Sequence, residues 1–193
     1  MSGQLEGSGA PPLNAYALWL VPSLEEQSDR LQTLINELAS LESASPTFEP
    51  HITLLHPIDL SVPLPEVHKT LRAAIDATSS KENGGLKDFT VQLTPAQSGS
   101  KYYQSVLAPV IPESKLLTLR KKCEKAFRLK DLPEYFPHLS LLYGELSGRR
   151  RDEIADVANR QGELDKVEVD VVAIVRCVGT PEDWEVVGTE KLS

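Results

Sequence analysis

The chain has 193 residues, 40% hydrophobic and 25% charged, which suits one large globular domain or two small lobes sharing a core. Its net charge of −8 argues against broad binding to nucleic-acid backbone, which needs an excess of Lys and Arg, but leaves room for a small phosphate held by local donors. No apolar run approaches the length of a membrane span, and the small, polar start has neither the basic nor the hydrophobic part of a signal peptide.

Residues 1–13 are expected to form a flexible tail ahead of one domain over 14–193. Residues 16–21 read as a strand stopped by Pro22. Ser23 with Glu26 is a capping-box signal, and Leu31, Leu34, Ile35, Leu38 and Leu41 then mark a helix of about 20 residues. A strand from His51 ends near Pro57. Pro63 and Pro65 open a second helix with Val67, Leu71, Ala74 and Ile75 as its buried stripe. Residues 79–86, with Asn83-Gly84-Gly85, read as a loop. Phe89, Val91 and Leu93 alternate with polar residues as a half-buried strand. Residues 97–101 are predicted as a hairpin turn and 102–108 as the returning strand. A third helix starts at Pro112, with Leu116, Leu119, Cys123, Ala126 and Phe127 on one face. A strand from His138 follows Pro133. A fourth helix spans 149–160 and closes near Gly162. In a long strand over 167–178, Val167, Val169, Val171, Ala173 and Val175 share a face; a last strand spans 184–189.

Several of these strands read as hairpin-connected, which favours α+β over a doubly wound parallel sheet. The expected architecture is bilobal: two lobes related by an approximate two-fold axis, each a small, mostly antiparallel sheet with helices outside, and a central groove between them.

One stretch is repeated. Phe48-Glu49-Pro50-His51-Ile52-Thr53-Leu54-Leu55 returns 87 positions later as Tyr135-Phe136-Pro137-His138-Leu139-Ser140-Leu141-Leu142. Both copies read aromatic, Pro, His, aliphatic, hydroxyl, Leu, Leu. Strand side chains alternate faces, so His51 shares a face with Thr53, and His138 with Ser140. One imidazole can be neutral while the other is charged near neutral pH. Such a pair can take a proton from water and give one to a departing alkoxide, each step contributing roughly 10²–10⁴ in rate. Two hydroxyls beside them can stabilise an oxyanion, and a phosphate fits such a site best.

Metal catalysis fits less well, because neither strand has metal-ligand spacing and His56 is expected to face away from His51. A Ser nucleophile would need an orienting third residue and usually a nucleophile elbow, and neither is visible. Cys123 and Cys177 read as two buried thiols without a disulfide. His68 and the Arg149-Arg150-Arg151 run read as surface, and Lys101 as a solvated turn residue.

The paired motifs match the signature of the two-histidine phosphoesterases, and the likeness covers residues 16 to about 187. Within that superfamily the chain most resembles the cyclic phosphodiesterases of fungi and plants. Supporting stretches are Tyr16-Ala17-Leu18-Trp19, Phe48-Glu49-Pro50-His51, Tyr102-Tyr103-Gln104-Ser105-Val106 and the second motif with its trailing Tyr143. The resemblance implies opening of nucleoside 2′,3′-cyclic phosphates to 2′-phosphates, and of ADP-ribose 1″,2″-cyclic phosphate to the 1″-phosphate, downstream of tRNA splicing, with no metal or other cofactor. Plant members carry extra cysteines that this chain lacks.

On that reading His138 activates water and His51 protonates the leaving hydroxyl, with the reverse assignment open. Thr53 and Ser140 hold phosphate oxygens, Tyr143 contacts phosphate or ribose, and Trp19 and Tyr103 stack a base or close a wall. The expected partner is a small cyclic phosphate, not a long nucleic acid. The chain is expected to be a cytoplasmic monomer without a membrane span, with peripheral Golgi association left open. Two alternatives remain: a nucleotide-binding module without catalysis, and an RNA-end-processing phosphodiesterase of the same superfamily.

Overall fold

β-Branched and aromatic runs become strands here, and apolar residues at three- and four-residue spacing become helices. The computed structural model describes residues 10–79, 86, 89–161 and 163–192. Strand β1 spans Leu13–Pro22, β2 Ile52–Ile58, β3 Phe89–Gln92, β4 Gln97–Ser98, β5 Val106–Pro109, β6 His138–Leu142, β7 Lys166–Gly179 and β8 Glu185–Lys191. Helix α1 spans Glu25–Ser40, α2 Leu64–Thr78, α3 Ser114–Ala126 and α4 Gly148–Gln161. Most of the segment read as a tail, and the Asn83-Gly84-Gly85 loop and Gly162, lie outside the described residues.

The fold is a mixture of helices and antiparallel sheet. The strands run in the order β3-β7-β1-β2-β6-β5-β4, with β8 added on β7. The strands β7-β1-β2 and β6-β5-β4 form matching halves that meet between β2 and β6, where the register pair is Ile52 with Leu139. The two expected half-sheets are therefore joined through one hydrogen-bonded sheet. One face carries Leu18, Leu20, Ile52, Leu54, Leu139, Leu141, Val172 and Ile174, buried under the helices in one large core. The opposite face carries Ala17, Trp19, Ala173, Val175 and Cys177, and it forms the floor of the groove.

Several local expectations are corrected. Ser23 does not cap α1: Leu24 is the N-cap, without a side-chain bond, and the Ser23 N–H is used on the Glu168 carbonyl. The helix has 16 residues, and Leu41 just beyond it is exposed. Strand β3 pairs with β7, and the expected hairpin is made by the residues that follow it: Leu93 bridges Val110, Gln97–Ser98 pairs with β5, and the turn lies later than expected, with Tyr102–Gln104 as a 3-10 turn rather than strand. In β7 the five residues expected on one face divide. Val21 pairs with Val171 but Pro22 with Val169, so Asp170 is an extra residue. This bulge leaves Val167 and Val169 in the large core while Ala173 and Val175 are buried with Trp19 and Cys177 on the opposite face. His68 is part-buried, with Nδ1 2.8 Å from Glu190 of β8, rather than free on the surface.

Candidate active site

The two repeated motifs meet where β2 lies beside β6. Continuing the Ile52–Leu139 register by one residue each way sets His51 opposite Ser140 and Thr53 opposite His138. Each imidazole thus neighbours the other motif's hydroxyl. The two imidazoles are diagonal neighbours, at about 7–8 Å in backbone spacing, so one phosphate can sit between them. A cavity of about 280 Å³ opens over this junction. His51, His138, Thr53, Ser140, Tyr143, Trp19 and Tyr103, the seven residues singled out from the sequence, all line it.

Both rings are oriented the same way. His51 Nδ1 is 2.6 Å from the Glu49 carbonyl oxygen, and His138 Nδ1 is 2.8 Å from that of Phe136. A carbonyl only accepts, so Nδ1 carries the proton in each ring and Nε2 is left for chemistry. Pro50 and Pro137 stand between donor and acceptor, and their fixed φ shapes the turn that makes this bond. The repeated Pro-His therefore has a local physical purpose.

The environments differ. His51 is 4% exposed and lies flat against Trp19, with ring centroids 3.6 Å apart and 8° between planes. Burial lowers its pKa to about 4, opposed by the Glu49 carbonyl and helped by the neighbouring His138. Burial also lowers the pKa of His138, opposed by the Phe136 carbonyl. At pH 7 both rings are neutral until an anion draws a proton in.

Tyr143 packs face to face on Phe48 at 3.8 Å, and its hydroxyl lies 3.5 Å from His51 Nε2. Burial raises its pKa, so it stays a donor. Ser140 donates to the Tyr103 carbonyl at 3.1 Å and also lies within hydrogen-bond reach of Tyr143. The Tyr103 hydroxyl donates to the carbonyl of Pro11, and burial pushes its pKa up to about 12. Trp19 closes a wall: His51 covers one of its faces, and the residue is only 4% exposed. Cys177 lines the floor as a thiol whose pKa burial raises to about 12, so it is not a thiolate nucleophile. Both cysteines are free.

Among the lining residues that were not anticipated as part of the site, four stand out. His56 lines the same cavity as His51 rather than facing away. Trp19 pairs with Thr53 but Leu18 with Leu55, so β2 has an irregularity at Leu54 that inverts the alternation beyond it. Arg120 reaches in from α3 and donates to the Leu54 carbonyl at 2.6 Å, and its guanidinium carbon lies 4.8 Å from the Tyr135 ring centroid. Tyr135 donates to the Thr53 carbonyl at 3.1 Å. Trp184 faces Trp19, Tyr103 and Tyr143 at 5.5–6.2 Å. The leading aromatic of each motif was a usable signal for Tyr135, and Thr180 with Asp183 marks the turn that presents Trp184.

Residues 14–192 match the family model described as cyclic phosphodiesterase-like protein. The chain is 26% identical to a cyclic phosphodiesterase of Arabidopsis thaliana, covering 93% of this chain and 96% of that protein. It is 28% identical to a 2′,3′-cyclic-nucleotide 3′-phosphodiesterase of Kluyveromyces lactis, covering 88% and 95%. Among solved structures, E. coli LigT in apo form shares the fold, with a TM-score of 0.54 at 14% identity over 95% of this chain and 99% of that one. Two His-x-hydroxyl strands facing one cavity, together with a family match spanning the sheet from β1 to β8, place this chain in the cyclic phosphodiesterase-like family of the two-histidine phosphoesterases.

Proposed function

We propose that this cavity opens nucleoside 2′,3′-cyclic phosphates to 2′-phosphates, and ADP-ribose 1″,2″-cyclic phosphate to the 1″-phosphate, without a metal and downstream of tRNA splicing. The observation that carries the reading is that the Ile52–Leu139 pairing brings His51, Thr53, His138 and Ser140 to one cavity. The Kluyveromyces lactis relative is named for cleavage of the 3′ ester of 2′,3′-cyclic nucleotides, and the Arabidopsis thaliana relative as a cyclic phosphodiesterase.

The chemistry balances as follows. His138 Nε2 takes a proton from water as the oxygen bonds to phosphorus. The bond from phosphorus to O3′ breaks, and His51 Nε2 delivers a proton to that oxygen. The ring opens to a 2′-phosphate. Thr53 and Tyr143 donate to the phosphate oxygens, where charge accumulates, and Ser140 joins them when its hydroxyl hydrogen turns from the Tyr103 carbonyl to the phosphate. His51 must be charged to act as the acid. Its low pKa is overcome by the bound anion, and the Trp19 face favours a cationic ring. The deeper burial of His51 favours a second assignment, in which it is the neutral base and His138 the acid.

Phosphorus NMR with a nucleoside 2′,3′-cyclic phosphate tests the reading. A 2′-phosphate product in the presence of chelator is the expected result. Sole formation of a 3′-phosphate, or no turnover, refutes it. A catechol cyclic phosphate, whose leaving group needs little protonation, separates the two assignments. Whichever His→Ala variant is rescued on that substrate has lost the acid.

A further inference from the structure

One wall of the cavity is built by His56, Arg120 and residues 133–136. Beyond the Ile52–Leu139 pair, side chains rather than strand bonds meet the edge of β2. Tyr135 donates to the Thr53 carbonyl at 3.1 Å, and Arg120 Nη1 to the Leu54 carbonyl at 2.6 Å. His56 stands three residues past Thr53, at most about 10 Å along the strand. The wall therefore starts beside the phosphate position between the two histidines and runs away from it for the length of one sugar.

Arg120 is 6% exposed, and among the described residues lining the cavity it is the one Lys or Arg. Its Nε donates to Glu124 at 2.6 Å and its Nη1 to Leu54, while Nη2 donates to no group among the described residues. A planar guanidinium held at two nitrogens presents the third in a fixed direction. His56 Nε2 is buried and also has no partner among the described residues. Buried polar atoms are nearly always paired, so two free nitrogens on one wall point to a ligand that accepts from them. Burial lowers the pKa of His56, so the ring is neutral at pH 7 and offers one N–H. Glu124 balances the guanidinium charge, which leaves directed donors rather than a broad positive field. Glu134, the one carboxylate among the described lining residues, is exposed to water, where its charge is screened. Directed donors on a cavity wall suit the oxygens of a phosphoryl group.

We infer that Arg120 and His56 form a second phosphate position in this cavity, so that the preferred substrate is a ribose cyclic phosphate with a further phosphoryl group on the same sugar. The inference rests on the reading that the reacting phosphate lies between His51 and His138. Of the two substrates proposed above, it favours the ADP-ribose derivative, whose reacting ribose carries a diphosphate, over a nucleoside with a free hydroxyl there. It also gives the irregularity at Leu54 a use, since that irregularity turns His56 into the cavity and exposes the carbonyl that holds Arg120.

Calorimetric binding of adenosine 2′-phosphate and adenosine 2′,5′-bisphosphate tests it. The wild-type chain is expected to bind the bisphosphate about tenfold more tightly, as one or two charge-assisted hydrogen bonds would give. Arg120→Met keeps the length of the side chain without its donors, and His56→Leu removes the second donor. Each variant is expected to bring the two probes to within about threefold of each other. The ratio is read on one sample, so a loss of folded protein lowers both signals and leaves it unchanged. Should Arg120→Met fail to fold, His56→Leu decides. A wild-type ratio below about threefold, or a ratio that either folded variant keeps in full, overturns the inference. If the preference and its loss appear while cyclic phosphates are not hydrolysed, the second position stands and the proposed reaction fails. Hydrolysis without the preference leaves the reaction standing and removes the second position.

Discussion

At His51, Trp19 covers one ring face and the Glu49 carbonyl holds Nδ1; at His138, Phe136 supplies both the carbonyl and a ring, 5.4 Å away. Substituting either His by Ala is expected to lower kcat by roughly 10²–10⁴ on a 2′,3′-cyclic nucleotide, measured at saturating substrate. Catalysis needs one ring charged and one neutral, and both pKa values lie below the usual 6.5. The bell of kcat/KM against pH is therefore expected to peak on the acid side of neutrality. The bell of kcat, with an anion bound, is expected at higher pH. The same shift acts on stability. The unfolded chain binds a proton at His51 near pH 6.5 and the folded chain only near 4, so stability is full above 6.5 and falls as pH drops through that window. Urea unfolding at pH 7 and pH 4.5 is expected to show this loss, and His51→Phe, which folds without a titrating ring there, should reduce it.

Elements position these side chains through reciprocal contacts. Phe48, leading into the first motif, stacks on Tyr143 at the end of the second, and Tyr135, leading into the second, bonds to Thr53 in the first. Arg120 caps the carbonyl of Leu54 at the β2 irregularity, a place where strand pairing alone is disturbed. Tyr135→Phe removes one hydrogen bond and is expected to cost about 1 kcal/mol in urea unfolding, and it should raise KM by loosening Thr53. Helix α2 packs so closely on β8 that a Cβ on Gly188 would lie 2.2 Å from His68 Nε2. Gly188→Ala is therefore expected to displace His68 from Glu190 and to destabilise the fold by about 1–3 kcal/mol. A fall in Tm of a few degrees would register it.

The whole molecule carries a net charge of −8 around a site meant for an anion. A mononucleotide needs only the local donors, whereas an oligonucleotide brings further phosphates toward an acidic surface. The kcat/KM for an oligonucleotide ending in a cyclic phosphate is expected to lie below that of the mononucleotide. Raising salt from about 0.05 to 0.3 M should narrow the gap, since screening weakens the repulsion. An RNA-end-processing enzyme would show the opposite order.

The amino-acid sequence alone determined the two His strands, their hydroxyl partners and the helices α2, α3 and α4, because alternation, helical spacing and Pro chemistry act within a few residues. Only the tertiary structure decided which rows of the sheet turn inward. The extra Asp170 in β7 and the irregularity at Leu54 in β2 each invert an alternation, and both are defined by pairing with β1, distant in sequence. For the same reason His56 and Arg120 join the cavity unannounced. Their place depends on strands and helices meeting across the sheet, and neighbouring residues carry no record of such long-range register.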